Sequence, residues 1–309
     1  EKMGVVIEGL PVGKTINLEA IKENLALRRS KDFFETKRVE CDEFEIVSGY
    51  FNNKTTGAPL AILVSNLKQK SSEYNPDMIR PSHADFVSKV KYDGFNDYRG
   101  GGIFSGRLTV LLVIAGSICL ELLKEENIRI DTEASSIGGM SENYGKLIEE
   151  AVSSNDSLGG IVKITVNNLP VGLGEPYFDK VDALLARGLF SVPSVKGVSF
   201  GLGFEIAKLK GSEANDEFYY DGGYVKTKTN HSGGVNGGLT NGMPLVINVA
   251  IRPTPSIGKE QNTISLKKSK NVKLEIKGRH DTIHVFRTQI VLKAVVALVI
   301  CDFMMKKLN

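Results

Sequence analysis

Leu108–Leu123 reads LTVLLVIAGSICLELL, and Ile290–Met305 reads IVLKAVVALVICDFMM. These two runs decide the fold. Each is apolar on nearly every side, which marks a helix buried all round and not an amphipathic surface helix. Neither gives about 20 unbroken apolar residues, the length a bilayer span needs. Thr109, Gly116, Ser117 and Glu121 interrupt the first, and Lys293 and Asp302 the second. Both therefore read as core helices, over Arg107–Glu125 and from Thr282 onward.

Strands are expected around them at Met3–Glu8, Phe44–Phe51, Leu60–Val64, Ile128–Ser136, Ile161–Val166, Val195–Phe200, Phe204–Leu209 and Leu245–Ile251. Asn17 is placed to cap a helix over Leu18–Arg29, where Leu18, Ile21 and Leu25 recur at helical spacing. Ser141 is expected to cap Glu142–Val152. Pro176 is expected in the first turn of a helix over Tyr177–Phe190. Ser71–Gly106 lacks periodicity and reads as a long polar loop, a feature that is usually functional. Strands fall in groups separated by long helices, without βαβ alternation. That pattern predicts an α+β fold with antiparallel sheets, not a doubly wound parallel one. No boundary or linker divides the chain, so one domain over residues 1–309 is expected.

Composition agrees with a folded globular chain. Of 309 residues, 41% are hydrophobic and the net charge is only +3, which excludes disorder as the main state. Cys41, Cys119 and Cys301 are odd in number and far apart, so neither a disulfide scaffold nor a structural zinc site is expected. Reduced thiols and a start, Glu1 to Pro11, without a signal-peptide pattern point to the cytoplasm. Lys and Arg do not cluster on one face, so no nucleic-acid partner is expected. The 32 glycines exceed the usual ~7% and imply many tight turns or close backbone approaches to a ligand.

Five polar, loop-like segments draw on Arg, His, hydroxyl and Gly residues in different combinations: Arg80–Asp85, Asp97–Gly102, Asn230–Gly242, Arg252–Ser256 and Gly278–Asp281. Arg offers forked donors for phosphate or carboxylate, Gly lets backbone N–H groups approach an anion, and His moves protons near neutral pH. Together they suit a small anionic substrate. Gly100-Gly101-Gly102 also reads as a flexible helix entry, and the prolines of Arg252–Pro255 alone would explain a stiff loop. His231 and His284 read as structural or exposed. No Walker-type loop, nucleophile elbow, dinucleotide fingerprint or metal-ligand spacing occurs.

These segments, with Gly4–Pro11, Lys54–Pro59, Gly172–Pro176, Phe178–Ala183, Val195–Val198 and Gly211–Glu213, run in one order along the chain. In that order the sequence resembles the chorismate synthase family. The resemblance implies a β-α-β sandwich, with long helices between antiparallel sheets, assembled as a homotetramer. It implies a carbon–oxygen lyase of the shikimate pathway, serving aromatic amino acid biosynthesis. The enzyme would eliminate phosphate from 5-enolpyruvylshikimate 3-phosphate in a 1,4-anti sense to give chorismate, using reduced FMN. His83 and Asp281 match the family's catalytic positions. Ser105, Pro193, Ser194, Gly237, Arg252, Pro253, Thr254, Pro255, Ser256 and Arg279 match flavin-contacting ones, and Arg279 is expected to help tune Asp281. Arg28, Arg29 and Arg107 resemble the arginines that face the anionic ligand. No metal and no membrane partner are implied. Ile103 and Phe104 stand where many members carry Arg and Ser, and Arg252 replaces a common Lys. The stretch Arg28–Lys37 lacks the family's usual Pro-Gly. The family's Ser-His-Gly motif, with its other catalytic histidine, would lie immediately before Glu1. No fused reductase for NADP-driven flavin reduction is visible, so reduced flavin is expected to come from elsewhere. Absence of that N-terminal histidine would instead suit a ligand-binding homologue.

Overall fold

The computed structural model describes residues 2–30, 32, 34–35, 42–66, 75–276 and 281–307. Seven helices occur among them: α1 Leu18–Ala26, α2 Asp85–Lys91, α3 Thr109–Glu125, α4 Gly145–Ser153, α5 Val181–Phe190, α6 Gly211–Ala214 and α7 Val285–Lys307. Every strand pairing is antiparallel. Leu60–Ser65 is the centre of a three-stranded sheet, flanked by Lys2–Ile7 and Phe44–Ser48. A four-stranded sheet runs in the order Arg129–Ile137, Gly160–Asn167, Leu245–Ile251, Val195–Phe200.

Alternation builds both sheets. Leu60, Ile62 and Val64 are buried on one side of their strand, and Leu245, Ile247, Val249 and Ile251 on one side of theirs. Period-two burial gives each sheet one face for the helices. Helix α3 packs on α7, on α1 and on the Lys2–Ile7 strand. Helix α7 packs on Arg129–Ile137 and Gly160–Asn167, while α5 covers Val195–Phe200 and also touches α7. Thus α3 faces the smaller sheet and α7 the larger one. By length and composition α3 and α7 could each cross a membrane, but more than half of each lies inside the fold.

The two long helices meet backbone to backbone. A Cβ added at Gly116 of α3 would lie 2.5 Å from Ala294 Cα and 2.6 Å from Ala294 O on α7. Those are main-chain atoms that no rotamer change can move. Gly116→Ala is therefore expected to destabilise the protein by about 3 kcal/mol, the upper end of ordinary overpacking. Denaturant unfolding measures this, and an unchanged midpoint would refute the close approach.

Several sequence expectations shift. Ser141 caps nothing: α4 starts at Gly145 behind Tyr144, with no side-chain cap. The Tyr177–Phe190 helix begins only at Val181, so Pro176 lies outside its first turn. Phe204–Leu209 is no strand, since Gly203–Lys208 forms a 3-10 helix. Phe204 is 90% exposed, so the apparent alternation has no core to face. The expected Ser71–Gly106 loop contains α2 and a 3-10 helix, Arg99–Phe104, in its described part. Phe44–Phe51 breaks at Gly49, whose φ of +77° interrupts the strand.

Candidate functional site

The Arg80–Asp85 segment folds into a tight knot. Asp85 opens α2 and takes Arg80 in a bidentate grip, Nε to Oδ2 at 2.8 Å and Nη2 to Oδ1 at 2.7 Å. Burial opposes the Asp85 charge, but the Arg80 bonds overcome it and hold the carboxyl below its ordinary value. His83 sits inside this knot. Its Nδ1 lies 2.9 Å from the Pro81 carbonyl. A carbonyl only accepts, so Nδ1 carries the proton and Nε2 is the ring atom left for exchange. Burial, then the Arg80 guanidinium, pushes the His83 pKa down, so the ring is neutral at pH 7.

Arg252 ties this knot to the rest of the site. Its Nη2 donates to Ser82 O at 3.1 Å, and its backbone N–H donates to Ser194 O at 3.0 Å. Its Nε is buried and has no hydrogen-bond partner among the described residues. His83, Arg252, Tyr98, Phe104, Pro193 and Ser194 share the wall of a cavity of about 630 Å³. The cations on that wall, Arg80, Lys89 and Arg252, equal its anions, Asp85, Asp97 and Glu275.

A second cavity, of about 450 Å³, adjoins it through Pro193 and Ser194, which line both. Its charge is not balanced. Arg28, Arg29, Arg107 and Arg287 stand against Asp42 and Asp281, an excess of two positive charges among the lining residues. Asp42 is buried, its side chain 3% exposed, and bonds Arg28 Nη1 at 2.8 Å and Arg107 Nη1 at 2.5 Å. Arg28 Nη2 also donates to Thr109 Oγ1 at 3.1 Å. Ser105 Oγ accepts the Arg107 N–H at 3.2 Å and so caps the turn that leads into α3. Also on the lining, Arg287 Nη2 lies 2.6 Å from Asp281 Oδ1. His284 Nδ1 lies 2.9 Å from Thr254 Oγ1, and burial drives the His284 pKa down to about 4.

The fold thus gathers His83 and Arg252 on the first cavity. Ser105, Arg28, Arg29, Arg107, Thr254, Pro255 and Asp281 come together on the second, with Pro193 and Ser194 common to both. Pro253 and Ser256 line neither cavity. Nor does Gly237, which lies in the turn between Val235–Asn236 and Leu239–Thr240. Gly278, Arg279 and His280 fall outside the described residues, as does Cys41. The described cation paired with Asp281 is Arg287. Sequence reading overlooked Asp42, Arg287 and His284. The spacing Asp281, His284, Arg287 in steps of three was the available signal for two of them. His284, read as structural or exposed, forms part of the cavity wall. Nothing local marked Asp42, whose partners lie 14 and 65 residues away.

The family model described as chorismate synthase matches residues 1–305. A chorismate synthase from Thermococcus kodakarensis is 43% identical over 99% of this chain and 93% of its own length. One from Chitinophaga pinensis is 45% identical over 98% and 91%, and one from Dehalococcoides mccartyi 41% identical over 98% and 92%. A crystal structure titled chorismate synthase superimposes with a TM-score of 0.75 at 24% identity. It covers 100% of this chain and 92% of that one, a likeness of fold.

Proposed function

The chain belongs to the chorismate synthase family, and from that premise we propose that it eliminates phosphate from 5-enolpyruvylshikimate 3-phosphate to give chorismate, in a 1,4-anti sense and with reduced FMN. One observation carries this reading: two cavities share a wall, one charge-balanced and partly aromatic, the other rich in arginine. Both volumes fall within the ~300–1,000 Å³ of ordinary ligand sites. The residues fit a flavin beside a phosphate ester. Tyr98, Phe104 and Pro193 offer flat apolar surface, and the unpartnered Arg252 Nε is a donor waiting for an acceptor. Reduced FMN would supply electron density while the phosphate departs and recover it afterwards.

The chain's own residues do the rest. Arg28 and Arg107, locked by Asp42, meet the anionic groups of the substrate and favour the charge that grows on the leaving phosphate. His83 holds a transferable proton position at Nε2. Asp281, on the lining of the second cavity, assists removal of the ring proton, oriented by Arg287. Pro193 and Ser194 line both cavities, so the two ligands would be held on neighbouring parts of one site. A carbon–oxygen lyase with one catalytic domain suits the unbroken family match, and the layering of α3 and α7 between the two sheets supports the sandwich architecture. A homotetramer is supported by exposed Phe218, Tyr220 and Tyr224 on a surface hairpin. Free thiols at Cys119 and Cys301 suit the cytoplasm.

The test is phosphate release from 5-enolpyruvylshikimate 3-phosphate with reduced FMN. Flavin binding without release would support a ligand-binding homologue instead. Asp281→Ala is expected to lower kcat about 10²-fold, the low end for a positioned proton-transfer group. FMN affinity should change far less. Equal loss of both would make Asp281 only structural.

A further inference from the structure

His284 has one ring nitrogen in use and one without a partner. Nδ1 meets Thr254 Oγ1 at 2.9 Å, while Nε2 is buried and has no hydrogen-bond partner among the described residues. Buried polar atoms of folded proteins are nearly always paired, so such an orphan marks a partner that has not arrived. The ring forms part of the wall of the second cavity, among the residues that give it its positive excess. The partner suited to that cavity is an anion. We propose that the Thr254–His284 pair is a further ligand-binding element of this site, in which the Thr254 hydroxyl donates to Nδ1 and His284 Nε2–H donates to a phosphate-ester oxygen. The inference rests on the phosphate-ester reading of the second cavity.

The electrostatics fit a neutral donor. Asp281 favours a charged ring, but burial, Arg287 and Arg252 oppose it, so the imidazole is uncharged at neutral pH. Both nitrogens then have fixed and opposite roles. In the proposed pairing the Thr254 hydroxyl donates to Nδ1, 2.9 Å away, which leaves the ring proton on Nε2. The arginines provide charge, and His284 would add a directional bond on the cavity wall.

The double variant Thr254→Val, His284→Leu removes the pair and leaves no half of it unsatisfied. Replacing both partners by apolar groups of similar shape is close to neutral for stability. A residue kept for packing alone would behave otherwise. The full chain is titrated with oxidised FMN in one arm and 5-enolpyruvylshikimate 3-phosphate in the other, and ligand-free thermal unfolding is recorded. We expect Tm to hold or rise, while affinity for one of the two esters falls about ten-fold or more. The arm that weakens identifies the phosphate concerned. Wild-type affinity in both arms would overturn the proposal. So would a fall in Tm accompanied by equal losses in both arms. If the variant does not fold, 15N NMR of the wild-type imidazole decides: Nε2 must be protonated and must shift with one ester. Wild-type protein that binds neither ester refutes the function reading itself, and this element with it.

Discussion

His83→Ala is expected to reduce turnover about 10²- to 10⁴-fold, the usual contribution of a positioned proton-transfer group. The knot around it explains the size. Arg80 and Asp85 clamp the loop, and the Pro81 carbonyl fixes the Nδ1 proton. The ring therefore presents Nε2 in one orientation, and no neighbour can take over that atom's role. Because burial holds the ring neutral when no ligand is present, an anionic ligand beside it must raise the pKa and take up a proton. Affinity for that ligand should then strengthen as pH falls toward the depressed value, and this dependence should vanish in the variant. Single-turnover phosphate release and ligand titrations across pH measure both effects. Wild-type rates in His83→Ala would remove the residue from the mechanism.

Asp42→Ala is expected to cost about 3–5 kcal/mol of stability, as when one partner of a buried ion pair is deleted. Arg28 and Arg107 keep only 13% and 11% of their side chains exposed. Without Asp42, two guanidinium groups would face each other across a confined space. Inorganic phosphate should restore part of the loss, since an anion that binds only the folded state stabilises it by mass action. Chemical unfolding with and without phosphate tests this directly. Unchanged stability, or no greater response to phosphate than in wild type, would show that the aspartate does not hold the pair.

The core was legible because burial writes itself into periodicity. Leu245–Ile251 forms the strand its near-continuous apolar run announces, and Asn17 caps α1 through Oδ1. Errors arose where no core stood behind the pattern. Phe218–Asp221 and Tyr224–Thr227 pair as a hairpin, yet almost all their residues are exposed. Only the Gly222-Gly223 turn could have betrayed that hairpin. Ser141 and Pro176 carried the right chemistry for helix starts, but the helices begin several residues later. The site was legible as separate segments whose chemistry pointed to an anion. Its assembly was not, because Asp42 reaches Arg107 across 65 residues and Arg252 reaches Ser82 across 170. Neither contact leaves a trace in local spacing.

The contact between Gly116 and Ala294 constrains how this chain can diverge. Shrinking residue 294 would free its Cβ but not its Cα or carbonyl, so no compensating change there makes room at 116. A side chain at 116 is admissible only if the helices spread. Arg107 lies just ahead of one helix and Arg287 within the first turn of the other, and both line the arginine-rich cavity. The spacing of the two helices that lead from these arginines is thus set in part by a hydrogen atom in the core.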